Sequence, residues 1–231
     1  MKCELVTKTV GVNSYENLTA EEITAAIARH GVIKDDKGKL IKYLMDKLHW
    51  SPLQFINFTF KIRTKRVIST QIFRHTSLSV QERSTRYDET LGFEDIEFRL
   101  EHPTNRQSST DVVGTILSDG GVFKIGTITT EVQFEAILKA RKSLTDIMIA
   151  YDDLIAAGIA KECARDILPL ATTTDIHING NLRSLLAFLN VRCDKGAQKD
   201  IQEIATCIGE ELEKELPNVF ARIDWRNGMF M

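Results

Sequence analysis

Cysteine is scarce in this chain and never paired in sequence. Cys3, Cys163, Cys193 and Cys207 are its four, and no two stand at the spacing of a zinc knuckle or a redox Cys-x-x-Cys motif. A disulfide-stapled fold is therefore not expected, and a reduced, cytoplasmic setting is. Glycine-based nucleotide motifs are missing too: neither the Walker form nor G-x-G-x-x-G occurs, so a dinucleotide would have to be held by side chains rather than by a Rossmann turn. No apolar run approaches the roughly 18 residues of a membrane span, and Met1-Lys2-Cys3-Glu4-Leu5 lacks the apolar stretch of a signal peptide. The net charge of -2 leaves no basic excess for a long nucleic-acid track. Repeats, low-complexity tracts and linkers are also absent. What remains is 231 residues, 43% hydrophobic and 27% charged, enough for one large domain over residues 1–231.

The charge is unevenly spread. Lys61, Arg63, Lys65, Arg66, Arg74, Arg83 and Arg86 face only Glu82 within residues 61–86, whereas Glu203, Glu210, Glu211, Glu213 and Glu215 crowd the C-terminal region. A local basic pocket of this kind suits a small anion.

Thr19-Ala20-Glu21-Glu22 has the form of a capping box and predicts a helix near 19–30, with Gly31 as its stop. Leu40, Ile41, Leu44, Met45 and Leu48 predict a second helix ending around His49, before Pro52. Ile56, Phe58, Phe60 and Ile62 alternate as a strand. Residues 65–73 read as a helix and 93–100 as a strand, while Asp119-Gly120-Gly121 suggests a hairpin in the poorly readable stretch 101–129. Thr130-Glu131-Val132-Gln133 starts the longest helix, which runs to Gly158. A short helix at 160–168 stops at Pro169, a strand covers 170–178, Asn181 caps a helix through Leu189, and a last helix spans 197–216. Helices and strands mix without regular alternation, so the fold class is α+β.

The segment Phe73 to Tyr87 holds three arginines, a histidine, a glutamate and several hydroxyls, with little apolar content to bury. Arg74, Arg83 and Arg86 offer planar donor forks that fit phosphate oxygens, Ser84 and Thr85 add hydroxyls, and Glu82 can accept from a sugar or a ring N–H. A nucleotide monophosphate needs this mixture; a solvated loop whose arginines pair with surface glutamates is the alternative. Arg165 precedes Pro169 and Arg192 closes an apolar helix; each suits an anionic partner, while Arg192 equally suits the helix dipole. His49 and His75 could contact a planar cofactor or be structural, and no carboxylate stands at metal-ligand spacing from either. No cysteine sits in an activating context.

These residues resemble the flavin-dependent thymidylate synthases (the ThyX family). The family signature is Arg-His-Arg, seven residues and a serine; this chain has Arg74-His75-Thr76, seven residues and Ser84, continuing into Arg86-Tyr87. Tyr43-Leu44-Met45 through His49-Trp50-Ser51-Pro52 is similar to a second block, and Ala164-Arg165-Asp166-Ile167-Leu168-Pro169 through Asn181-Leu182-Arg183-Ser184-Leu185, Phe188-Leu189-Asn190 and Arg192 to a third. The resemblance implies a homotetramer of α+β protomers with a mainly antiparallel sheet. It also implies methylation of dUMP to dTMP, with methylenetetrahydrofolate as carbon donor, FAD as cofactor and NADPH as reductant.

Carried over by position, the nucleotide contacts are Gln71, Arg74, Glu82, Ser84, Thr85, Arg86 and Arg165. Arg192 is the catalytic residue, polarising the pyrimidine. Flavin contacts fall to His49, Ser51, Arg74, His75, Thr76, Glu82, Asn181 and Arg183. No metal, nucleic acid or membrane enters as a partner. The chain departs from the family at Thr76, Gln54, Ala187 and Gly196, all on the flavin or folate side. Two other outcomes share these residues: a folate-dependent hydroxymethylase or methylase of dUMP or dCMP, and a non-catalytic nucleotide-binding relative.

Overall fold

In chain order the computed structural model begins with strand β1 (Lys2–Lys8), helices α1 (Ala20–Ala28) and α2 (Lys39–Asp46), strand β2 (Asn57–Lys65), helix α3 (Arg66–Ile72) and strand β3 (Ser79–Glu82). Strands β4 (Ile96–Glu101), β5 (Ser109–Ile116) and β6 (Phe123–Ile125) follow, then the long helix α4 (Glu131–Ala156) and the one-turn α5 (Lys161–Ala164). Strand β7 (Thr173–Asn181) leads into α6 (Leu182–Arg192), α7 (Lys199–Glu215) and α8 (Pro217–Phe220). The structure describes residues 2–106, 108–118, 123–125, 129–228 and 230. Helices and strands are mixed as expected of an α+β chain. Two compact units share it, each assembled from separate stretches: Arg63–Gln71 with Glu82–Ile176, and Lys2–Ile62 with Ile72–Gln81 and His177–Met231.

The first unit is built on the antiparallel sheet β4-β5-β6, with Ile96 opposite Ile116, and Ile116 opposite Phe123. Val113 and Ile116 of β5 are buried with Ile137 of α4, and Ile96, Phe98 and Leu144 pack around them. Helix α4 begins as its sequence predicts: Thr130 Oγ1 accepts from the Gln133 N–H at 3.3 Å, and Gln133 Oε1 accepts from the Thr130 N–H at 2.9 Å. It ends in a Schellman turn, with Gly158 at φ +80° and the Ile159 N–H donating to the Leu154 carbonyl at 3.0 Å. Residues 119–121, expected to form a hairpin turn, lie outside the described residues.

The second unit carries β1 and the larger part of the other strands of the four-stranded sheet β1-β2-β7-β3. Ile56, Phe58, Phe60 and Ile62 are fully buried, as period-two alternation requires. Leu185, Leu186, Phe188 and Leu189 of α6 and Ile201, Ile204, Ile208 and Leu212 of α7 complete the core between two packed helices. Each such side chain contributes about 1.5–3 kcal/mol on burial. Gly209 in mid-α7 is a close-approach position: a Cβ there would stand 2.2 Å from the Trp225 ring.

Several boundaries differ from expectation. His30 (φ +55°) already turns left-handed ahead of Gly31 (φ +93°), and the Gly31 N–H reaches the Ala26 carbonyl at 2.8 Å. Strand β2 runs on past Ile62 because Arg63 finds Asp175 (2.9 and 3.1 Å) and Thr64 is buried. The strand expected at 93–100 starts at Ile96. Only Lys161–Ala164 of the segment 160–168 is α-helical; Arg165–Ile167 tighten into a 3₁₀ turn ahead of Pro169. The strand expected at 170–178 starts at Thr173, since Thr172 folds back on the Pro169 carbonyl through both its N–H (3.0 Å) and its hydroxyl (2.6 Å).

Candidate functional site

Six predicted site residues belong to the first unit: Gln71, Glu82, Ser84, Thr85, Arg86 and Arg165. Glu82, at the end of β3, accepts from the Ser69 hydroxyl at 2.7 Å and lies 3.8 Å from the Arg66 guanidinium. The next residues turn sharply. The Ser84 carbonyl accepts from the N–H groups of Tyr87 and Asp88 at 3.2 and 3.1 Å, and Ser84 Oγ accepts from the Arg86 N–H at 3.3 Å. Thr85 is buried inside this turn, whereas Arg86 and Tyr87 are thrown outward, with the Arg86 guanidinium 5.8 Å from the Tyr87 ring.

Arg86 and Arg165 converge on one residue that sequence reasoning did not single out. Arg86 reaches the Glu162 carboxylate at 3.6 Å, and Arg165 Nε donates to the Glu162 carbonyl at 3.2 Å. Lys161 adds a third cation, donating to the Tyr87 carbonyl at 3.2 Å and lying 3.4 Å from Glu89. The signal for Glu162 was its place three residues before Arg165, one helical turn away. With the Arg86 and Glu162 side chains both more than half exposed, this ion pair is weak enough for a competing anion to displace.

The second unit holds Arg74, His75, Thr76 and Arg192 together with His49, Ser51, Asn181 and Arg183. Arg192 closes α6 and donates from Nε to His75 Nε2 at 2.8 Å, which assigns the imidazole proton to Nδ1. The ring of Phe188, one turn earlier on α6, meets His75 edge-on with centroids 4.9 Å apart. Burial first, and the Arg192 charge second, push the His75 pKa from 6.5 down to about 4. Burial and the neighbouring Arg74 likewise lower Arg192 from its usual value. Two guanidiniums beside a neutral imidazole form a site prepared for an anion.

A folded His75 that binds its proton less readily than the unfolded chain lowers stability as pH falls from about 6.5 toward 4. Thermal unfolding across that window should show this loss, with stability complete above it. The step should shrink in His75→Gln, whose carbonyl oxygen can accept from Arg192 without titrating; an unchanged step would show that His75 is not its source.

His49 and Ser51 owe their place to the end of α2. Leu48 adopts φ +55°, the Leu48 N–H bonds to Met45 at 3.1 Å, and the His49 N–H returns to Leu44 at 2.8 Å, a Schellman turn without its usual glycine. Leu48, His49, Trp50 and Ser51 then line a cavity of about 440 Å³ with Arg183 from the first turn of α6. Asn181 caps that helix, accepting from the Ser184 N–H at 2.9 Å, which leaves its Nδ2 as a donor. Hydroxyl, imidazole and guanidinium at a helix N-terminus together offer donors of the kind that hold phosphate groups. A larger cavity, about 790 Å³, between the N-terminal stretch and residues 214–218 contains none of the predicted site residues. Among the described residues no group of three or more His, Cys, Asp or Glu is placed to hold a metal ion.

Residues 4–218 match the family described as "Thymidylate synthase complementing protein". The chain belongs to this family. It is 35% identical over 187 residues to a flavin-dependent thymidylate synthase of Synechocystis sp., covering 81% of this chain and 80% of that protein. It is 30% identical over 223 residues to a probable flavin-dependent thymidylate synthase of Paramecium bursaria Chlorella virus 1, covering 95% and 96%. In fold it is similar to the UMP/dUMP methylase PolB from Streptomyces cacaoi, solved with 5-Br UMP. That likeness has a TM-score of 0.75 at 22% identity, covering 96% of this chain and 92% of the other.

Three of the four departures from the family pattern fall where a side chain is accessible or a turn is tight. Thr76 and Gln54 are exposed, and the Gly196 N–H donates to Asp194 Oδ1 at 2.7 Å in the turn after α6. Ala187 sits half-buried beside Phe188. None belongs to the Arg86, Glu162 and Arg165 cluster.

Proposed function

We propose that this chain is a flavin-dependent thymidylate synthase, transferring a one-carbon unit from methylenetetrahydrofolate to the fifth ring carbon of dUMP and giving dTMP. The observation that carries this reading is the convergence on Glu162 of Arg86, which follows the family signature, and Arg165, from the third block of the resemblance. Phosphate oxygens would take over the two guanidinium forks, releasing Glu162 to solvent. Glu82, Ser84 and Thr85 would contact sugar and base, with Gln71 and Arg74 adding donors. Arg192, held by His75, would set its positive charge against the pyrimidine and stabilise the negative charge that develops on its ring.

His49, Ser51, Arg74, His75, Thr76, Glu82, Asn181 and Arg183 would hold FAD, which when bound and reduced by NADPH supplies the hydride of the reaction. A protein thiolate has no part in this scheme. Burial pushes the Cys193 thiol up to about 11 and Cys3 higher, so neither is ionised at neutral pH. Residues 1–231 would act as one catalytic domain in a cytoplasmic homotetramer, without nucleic acid or membrane partners. Among the described residues no helix is long and apolar enough to cross a membrane, and Val132 and Ile149 of α4 are exposed apolar side chains that a second protomer would cover.

Arg86→Ala tests the phosphate role. Calorimetric titration with dUMP should show affinity reduced by about 1.5–3 kcal/mol, or roughly 10- to 150-fold, the value of a charge-assisted hydrogen bond. Equal affinity would remove Arg86 from the site.

A further inference from the structure

Two of the four cysteines lie together, beside a cavity lined by none of the residues assigned above. β1 packs on α7, and Cys207 Sγ on that helix stands 3.8 Å from the Cys3 backbone carbonyl. The two side chains are also within hydrogen-bonding reach of each other, and the charge of Glu211, one turn beyond Cys207, adds to what raises the Cys3 thiol. Cys207 lines an open cavity of about 340 Å³ on the surface of α7, bordered by Gln202, Glu203, Thr206 and Glu210. Cys163 is exposed but lies in the other unit, and Cys193 is buried. The arrangement has the two parts of a peroxide-sensitive pair: one sulfur reachable from solvent and a second directly behind it.

We propose that Cys207 is a site of oxidative modification by peroxides and that Cys3 resolves it, giving a reversible disulfide between β1 and α7. In the first step the Cys207 sulfur attacks hydrogen peroxide: an S–O bond forms, the O–O bond breaks, and a sulfenic acid and one water result. In the second, the Cys3 sulfur attacks Cys207: the S–S bond forms, the S–O bond breaks, and the departing oxygen leaves with the Cys3 proton as a second water. Two thiols lose two electrons and one peroxide is reduced to two waters. Burial first, and the adjacent Cys207 second, raise the Cys3 thiol far above its ordinary range, so Cys3 holds its proton at neutral pH and the first attack on peroxide falls to Cys207. The product would tie the first strand of the sheet to a core helix across nearly the whole chain, where a cross-link constrains the unfolded state most.

The test is titration of the purified full-length protein with hydrogen peroxide, followed by non-reducing peptide mapping. Loss of two of the four thiols is expected, with one cross-linked peptide pair containing Cys3 and Cys207 and full return on adding dithiothreitol. The oxidised form should melt several degrees higher than the reduced form. Cys3→Ser should accumulate a dimedone-reactive sulfenic acid at Cys207 instead. Turnover of the unoxidised Cys3→Ser and Cys207→Ser proteins should match the parent, since neither thiol belongs to the proposed catalytic site. Oxidation confined to Cys163, or cross-links lacking Cys3 or Cys207, would overturn the proposal.

Discussion

Replacing Arg192 by alanine is expected to reduce kcat by at least about 10²–10³-fold, the usual effect of removing one preorganised donor from a developing anion. Arg192 is the last residue of α6 and its guanidinium is half-buried against His75, so the substitution removes a charge from the site without hollowing the core. Urea denaturation should show only a modest change. Arg192→Lys separates the two roles that sequence left open: it keeps a cation at the helix terminus, and so the dipole interaction, but loses the planar fork. The lysine variant should therefore fold normally and stay defective. Full turnover in the alanine variant would reject the catalytic role, and recovery in the lysine variant would reduce it to bulk charge.

Phe188→Ala should have the largest effect on stability, about 3–5 kcal/mol, because the ring is fully buried and its removal leaves a cavity. Against a total of about 5–15 kcal/mol, a loss of that size puts folding at risk at physiological temperature. Function should suffer with it, since the ring edge supports His75, and His75 holds Arg192. Phe188→Leu keeps most of the volume and should fold stably while binding flavin more weakly. Denaturant midpoints and flavin absorbance after gel filtration read out the two effects separately. A loss below about 1 kcal/mol in the alanine variant would mean that α6 repacks around the gap.

The elements legible in the sequence were those whose signals are local. Thr19 with Glu22, Thr130 with Gln133, and Asn181 all act as the helix starts they resemble, because a cap is decided within four residues. The buried side of β2 was readable from alternation. Its last three residues were not, since Lys65 is buried despite its charge and Arg63 depends on Asp175, 112 positions away. β1 carries polar residues at four of its seven positions and the four-residue β3 at three, so neither shows a clear apolar alternation; only neighbouring strands define them. At α1 the stop at Gly31 was readable from its residue type, but the positive φ that His30 also takes was not.

The candidate site shows the same division. Arg74, His75, Ser84 and Arg86 were visible as a polar run with little to bury, and Arg192 as a charge closing an apolar helix. Glu162, Phe188 and Trp50 were missed. Glu162 lies in the short helix α5 with no motif of its own, while Phe188 read as one apolar residue of its helix and Trp50 only as part of a family-like block. Their importance comes from what they touch or line: Phe188 beside His75, and Trp50 in the wall that holds Ser51 and Arg183.

The most direct measurement is the mass of the nucleotide product. Incubating the full-length protein with dUMP, FAD, NADPH and methylenetetrahydrofolate should convert dUMP into a nucleotide heavier by one CH₂ group, dTMP, with an Arg192→Ala control leaving it unchanged. A product heavier by a further oxygen would make the enzyme a hydroxymethylase, and conversion of dCMP alone would change its substrate. Unaltered dUMP from a protein that gains no flavin absorbance would contradict the account at its root.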